Sequence, residues 1–229
     1  MKNIIELKSV TKKYGKKVAL RNVDLSLDTG KIVGLLGPNG SGKTTLIKTI
    51  MRIIREQQGT VKIFEKEASF ETRKYISFMP DREFLYDTMK VIDAIHYYED
   101  MFTDFNIKKA DDLCKKLKLH QEDLIKNLSK GTKEKVVLML TLARDVPIYL
   151  LDEPLGSLDP LIKHQMLTVI KECSNKDNLI VISTHLIKDT EEILDKAILI
   201  SEGEIVDFFD IKGAKKDLEK VYLEAFSND

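Results

Sequence analysis

The sequence predicts a mixed α/β fold with a central, mainly parallel sheet, an antiparallel β subdomain at the N-terminus and an inserted helical subdomain. Three observations carry that prediction. Continuous apolar runs at residues 32–36, 148–151 and 179–182 have the pattern of parallel strands covered on both faces, and a helical pattern follows each. Earlier in the chain Ile5, Leu7, Val23, Leu25 and Leu27 alternate with polar residues, as half-exposed antiparallel strands do. Between Asp87 and Asn127 the strand signals vanish and helical periodicity takes over.

Taken in order, residues 1–30 and 59–75 supply the antiparallel subdomain, and 31–58 and 146–210 the core. Residues 82–145 form the helical subdomain, and 211–229 a C-terminal helix, all within one domain of 229 residues. The helix after the first apolar run extends from Lys43 to about Ile54. Helical stretches are expected at 91–101, 107–117 and 121–126, then at 160–173 and 187–194. A hairpin of 197–200 and 205–208 turns at Glu202-Gly203, and an amphipathic helix covers 214–226. The length is enough to bury a core without disulfides, and Cys114 and Cys173 match no metal or redox spacing, so both read as free thiols.

Lys+Arg and Asp+Glu each number 37, so the formal charge is zero and no net field favours nucleic acid or an anionic membrane. No nucleic-acid partner is expected. The apolar runs fall far short of the roughly 20 residues of a membrane helix, and the N-terminus lacks a signal-peptide h-region. The expected location is the cytosol, or a membrane reached only through a partner.

The residues that carry chemistry begin at Gly37, Pro38, Asn39, Gly40, Ser41, Gly42, Lys43, Thr44 and Thr45, between a buried strand and a helix. This is the glycine-rich loop that binds phosphate, and it predicts a P-loop NTPase core. Successive N–H groups of such a turn form an anion nest, and the helix that opens at Lys43 adds its positive end. Lys43 supplies a charge to the β- and γ-phosphates, and the Thr44 hydroxyl is placed for Mg²⁺. ATP and Mg²⁺ are the expected ligands. A second strand ends in Asp152-Glu153-Pro154. Asp152 would complete the Mg²⁺ shell and Glu153 would polarise the attacking water. In isolation the same pair would read as a strand ending in a solvated acidic turn.

These two motifs, with Leu128-Ser129-Lys130-Gly131-Thr132 between them and Ser183-Thr184-His185 after them, resemble the ATPase subunit of an ABC transporter over essentially the whole chain. The resemblance implies that two subunits close head to tail around two ATP molecules. Each nucleotide is then held by one P-loop and by the other subunit's signature segment, here Ser129, Lys130 and Gly131. It implies that Tyr14 stacks on adenine, that His185 reaches the γ-phosphate as a catalytic group beside Glu153 and Lys43, and that the Ser157-Leu158-Asp159 loop communicates across the interface. On their own residues, Ser129 to Gly131 also read as a helix-capping turn, and Asp159 before Pro160 as a helix cap.

Two departures from the family pattern stand out. Lys130 and Thr132 replace the usual glycine and glutamine of the signature, and Asp81 follows Pro80 where the family has a glutamine that touches metal or its water. The resemblance further implies a separately encoded membrane permease as partner and a peripheral position on the cytoplasmic face of the membrane. The aromatics Phe84, Tyr86, Tyr97, Tyr98, Phe102 and Phe105 divide between the helical subdomain's own core and permease anchors. The altered signature, the short helical subdomain and the lack of a C-terminal regulatory domain point to export of peptides, drugs or lipids. A soluble ABC ATPase acting on ribosomes or DNA is the alternative, which usually carries two cassettes or a long coiled-coil insertion. A small-molecule kinase on the same loop does not account for residues 128–132.

Overall fold

The computed structural model describes residues 3–82, 84–156, 158–214 and 218–226. Two long strands, β1 (Asn3–Tyr14) and β2 (Lys17–Asp28), pair antiparallel and join β4 (Gln58–Ile63) and β5 (Lys66–Glu67) in a sheet of order β2-β1-β4-β5. The second sheet contains β3 (Lys31–Leu36), β6 (Ile76–Met79), β7 (Ile148–Asp152), β8 (Leu179–Thr184), β9 (Lys196–Ser201) and β10 (Glu204–Asp210). Its order is β10-β9-β3-β8-β7-β6, parallel throughout except for the β9–β10 hairpin at one edge.

The apolar runs are continuous because alternate residues serve two cores. Val33, Leu35, Ile148, Leu150, Leu179 and Val181 pack toward the antiparallel sheet and toward Leu46 and Ile47 of α1 (Lys43–Ile50). Ile32, Leu36, Tyr149, Leu151, Ile180 and Ile182 face the opposite core. That core also takes apolar residues of α2 (Val91–Met101), α3 (Ile107–Leu117), α4 (Lys130–Leu142) and α5 (Pro160–Cys173). The chain continues with α6 (Ile187–Thr190), α7 (Ile211–Ala214) and α8 (Leu218–Phe226). Among the described residues no helix is long and apolar enough to cross a membrane, and Cys114 and Cys173 are free thiols.

Several element boundaries differ from the sequence expectation. Helix α1 stops at Ile50 instead of about Ile54, because Arg73 donates from Nε to the Met51 carbonyl (2.9 Å) and from Nη2 to that of Arg52 (2.7 Å). A distant guanidinium thus satisfies carbonyls at the helix end, and Arg52 turns left-handed at φ 57°. Residues 121–126 are not helical. The carbonyls of Gln121 and Asp123 accept from the N–H groups of Ile92 and Val91 at the start of α2, which holds that stretch in turns, and only Ile125–Asn127 forms a 3-10 turn. The helix expected over 187–194 is α6 followed by a 3-10 turn at Glu191–Ile193, with the Thr190 hydroxyl bonded back to the Leu186 and Ile187 carbonyls. Of the C-terminal helix expected over 214–226, residues 218–226 are helical as α8 and Ala214 falls in α7, while residues 215–217 lie outside those described. Strand β6 was not expected, since four residues are too few to show a period.

Candidate active site

Strands β3, β7 and β8 are neighbours in register, with Leu36 opposite Thr184 and Asp152 opposite Ser183. Their C-terminal ends therefore deliver the glycine loop, the acidic pair and His185 to one edge of the sheet, where ligands of open α/β sheets bind. The loop needs glycine for steric reasons. A Cβ on Gly37 would lie 2.2 Å from the Ile200 carbonyl oxygen and 2.7 Å from Ser41 Oγ. Gly42, the N-cap of α1, has φ 116°, and its Cβ would meet the Ala19 carbonyl at 2.7 Å. No side chain caps α1, so its first-turn N–H groups stay available to an anion. Pro38, Asn39 and Gly40 are exposed on the loop, and Thr44 and Thr45 are half-buried in the first turn.

Lys43 lies buried beneath the loop. Its Nζ donates to the carbonyls of Gly37 (2.8 Å) and Pro38 (3.1 Å), and it stands 3.3 Å from Glu153 Oε1. The contact with Glu153 is an ion pair without hydrogen-bond geometry, because Glu153 Oε1 is buried with no hydrogen-bond partner, as is Ser41 Oγ. Two buried oxygen atoms at the loop are thus left unsatisfied, an unfavourable condition unless a ligand completes them.

Asp152 is 1% exposed. Its Oδ1 accepts from Ser183 Oγ at 2.6 Å and from Thr44 Oγ1 at 3.2 Å. Burial pushes its carboxyl above the usual range, the two hydroxyl bonds oppose that, and the charges of Asp81 and Glu153 push it further up. A cation would relieve this strain on the ionised form. Among the described residues no three His, Cys, Asp or Glu side chains form a metal cluster. The protein's donor set is therefore hard oxygen, a hydroxyl and one or two carboxylates, which fits a magnesium ion that takes its other ligands from phosphate and water.

Glu153 sits in the left-handed region at φ 49°. Its N–H is shared between the Ser183 carbonyl (3.1 Å) and Ser183 Oγ (3.0 Å), which fixes the turn. Its Oε2 is 3.1 Å from His185 Nδ1. Ser183 therefore orients both acids, a role that the motif Ser183-Thr184-His185 signalled only by position. Tyr14, 48% exposed, stands at the mouth of a cleft of about 270 Å³ that runs past Lys43 to Asp81 and Glu153. Lys17 on β2 also lines it, three residues after Tyr14, and nothing in the sequence pattern marked it.

Ser129, Lys130, Gly131 and Asp159 do not line this cleft. Ser129 caps α4, accepting from the Thr132 N–H at 3.2 Å, and Asp159 caps α5, accepting from Leu161 (3.0 Å) and Ile162 (3.1 Å). The two caps adjoin, since a Cβ on Gly131 would be 2.5 Å from Ile162 Cδ1. Ser129 and Lys130 are exposed there, and Ser157 lies outside the described residues.

The aromatic group also divides. Tyr98 packs against Phe102 (5.3 Å) and Phe105 (5.9 Å) between ring centroids, and burial pushes its phenol up to about 12. Arg144 lies 4.0 Å over the Phe102 ring. Phe102 therefore belongs to the subdomain's own packing, whereas Phe84, Tyr86 and Tyr97 stay exposed.

A family model described as "ABC transporter" matches residues 20–156. The chain is 27% identical over 229 residues to the ABC transporter ATP-binding protein YtrB of Bacillus subtilis, covering 99% of this chain and 78% of that protein. It superposes on a solved ATP-binding subunit of an ABC transporter with a TM-score of 0.87 at 23% identity, over 97% of this chain and 99% of the other. The dimeric structure of MJ0796, a bacterial ABC transporter cassette, matches with a TM-score of 0.79 at 25% identity, over 90% of this chain and 98% of that one.

Proposed function

The chain belongs to the ABC transporter family, as an ATP-binding domain, and on that premise we propose that it hydrolyses ATP to drive a separately encoded membrane permease. The observation that carries the proposal is the line Lys43, Glu153, His185 at the glycine loop, with Ser41 Oγ and Glu153 Oε1 buried and unsatisfied beside it.

In this reading the loop N–H groups and Ser41 hold the phosphates of ATP, and Lys43 exchanges its contact with Glu153 for the β- and γ-phosphates. Tyr14 supports the adenine ring. Thr44 and Asp152 would hold Mg²⁺, with Asp81 as the nearby second carboxylate. When bound, the ion neutralises charge on the phosphate oxygens. Glu153, released from Lys43, accepts a hydrogen bond from a water and draws off its proton as the water attacks the γ-phosphorus. His185, already in contact with Glu153, steadies that water and the γ-phosphate. The bond from phosphorus to the bridging oxygen breaks, leaving ADP and inorganic phosphate. Electrostatic positioning supplies most of the rate in such a transfer.

Ser129, Lys130, Gly131 and Asp159 lie away from the cleft of their own chain and would meet the nucleotide of a second subunit in a head-to-tail dimer. The MJ0796 cassette, solved as a dimer, supports a two-subunit reading. Lys130, exposed where the family has glycine, would add a positive charge at the partner's γ-phosphate. The permease would attach at the exposed Phe84, Tyr86 and Tyr97, holding the ATPase at the cytoplasmic face of the membrane. Export of peptides, drugs or lipids belongs to the same proposal, supported by the altered signature and the small helical subdomain.

Glu153→Gln removes the water-polarising carboxylate but keeps the nucleotide pocket, so the variant should accumulate as a dimer with ATP and Mg²⁺ on size-exclusion chromatography. A variant that stays monomeric at concentrations where the wild type dimerises would refute the two-subunit mechanism.

A further inference from the structure

Helix α8 packs against the segment that carries His185. Leu218 is fully buried in the same core as Ile187 and Leu194. The Leu218 N–H donates to Glu191 Oε1 at 3.1 Å, which ties α8 to the turn after α6. Lys188 Nζ meets Glu219 Oε1 at 3.0 Å on the outer surface. One turn beyond Leu218, Tyr222 stacks on Phe226 with ring centroids 4.3 Å apart. With Glu219 and Leu223 it forms one wall of an open groove of about 310 Å³ whose other wall is the segment from His185 to Asp189. Burial pushes the Tyr222 phenol above its usual range, and the Glu153 carboxylate adds to that shift.

Ser183 already fixes the backbone turn at Glu153, so the support that α8 can add is to the side-chain pair. His185 is 43% exposed, and its Nδ1 lies 3.1 Å from Glu153 Oε2. Helix α8 contributes nothing to the wall of the nucleotide cleft. Whatever Tyr222 does for hydrolysis, it does through the segment from His185 to Ile187.

We propose that Tyr222 is a positioning residue for the Glu153–His185 pair, with α8 as the element that sets how well that pair is held. The inference rests on the assignment of Glu153 and His185 to hydrolysis. Docked, α8 limits the swing of His185; displaced, it leaves the pair loose and turnover slow while nucleotide affinity is unchanged.

The test uses the full chain and steady-state ATP hydrolysis, with imidazole ¹⁵N shifts as a second readout. Tyr222→Ala should lower kcat about tenfold with the KM for ATP within twofold, since small misplacement of reacting groups costs rate more than binding. Tyr222→Phe, which keeps the stack on Phe226, should retain at least half of the wild-type kcat. Glu219→Lys sets like charges at Lys188 on the wall of the same groove, and it should lower kcat in the same sense. In Tyr222→Ala the His185 resonances should move while those of His96, His120 and His164 hold. Wild-type kcat in both Tyr222→Ala and Glu219→Lys, or unmoved His185 resonances, would overturn the inference. So would a loss of kcat matched by an equal rise in KM. A wild type that does not hydrolyse ATP would instead remove the functional assignment beneath it.

Discussion

Replacing Lys43 by Met perturbs two states of the protein in different ways, and both effects follow from its contacts. The ammonium is 6% exposed and holds the Gly37 and Pro38 carbonyls while it faces Glu153 at 3.3 Å. With nucleotide absent, Lys43→Met leaves two loop carbonyls without that donor and a largely buried carboxylate without its cation. Losses of this kind cost about 1–3 kcal/mol, read as a fall in the urea-unfolding free energy. With nucleotide present, the variant lacks a charge-assisted contact to phosphate, typically about 1.5–3 kcal/mol, or about 10- to 150-fold in the Kd for a slowly hydrolysed ATP analogue measured by calorimetry. The two effects separate in the double variant. A neutral Gln at position 153 needs no cation, so adding Glu153→Gln to Lys43→Met should recover part of the lost stability but none of the affinity. A Kd within twofold of wild type, or stability losses in the double variant that simply add, would refute the assignment of Lys43 as both phosphate ligand and counter-ion of Glu153.

Two further outcomes concern the rest of the molecule. Phe102→Ala should destabilise the chain by about 3 kcal/mol, because it empties the space between Arg144 and Tyr98. Phe84→Ala should cost under about 1 kcal/mol yet reduce co-purification with the permease; the reverse pattern in thermal melts and pull-downs would misplace the docking surface. Asp145 titrates below its ordinary value of 3.8: burial raises it, but the bonds from Asn106 and Lys109 outweigh burial. Its contribution to stability is therefore present above the unfolded value and lost as pH falls through the lower folded one. Asp145→Asn should flatten the acid limb of the unfolding free energy measured below about pH 5, and an unchanged limb would contradict the role given to those two bonds.

How much of this was legible in the sequence depends on whether a feature's cause is local. The glycine loop is readable because its spacing is itself the chemistry: Gly37 and Gly42 sit where any side chain would strike the Ile200 or Ala19 carbonyl. The parallel strands are readable because both faces are covered, which removes the polar alternation. The end of α1 is not, since it is fixed by Arg73 from 21 and 22 residues away. The stretch after α3 has helical composition, but the open N–H groups of α2 claim its carbonyls. Phe84 and Phe102 look alike as letters, and only the approach of Arg144 separates them. At the site, the acidic pair announces itself, whereas the turn that aims Glu153 depends on Ser183 from the neighbouring strand. The roles proposed for Ser129, Lys130, Gly131 and Asp159 at a second subunit leave no trace in one chain beyond two helix caps.

The most direct measurement is phosphate release by the purified chain and by its Glu153→Gln variant, at saturating ATP and Mg²⁺, with the Kd for ATP determined on the same samples. The wild type should turn over, and the variant should bind ATP as tightly while its turnover falls at least about 100-fold, the lower end of the range for a lost general base. Equal turnover by the two proteins would contradict the account, since the carboxylate beside Lys43 and His185 would then have no part in activating the water.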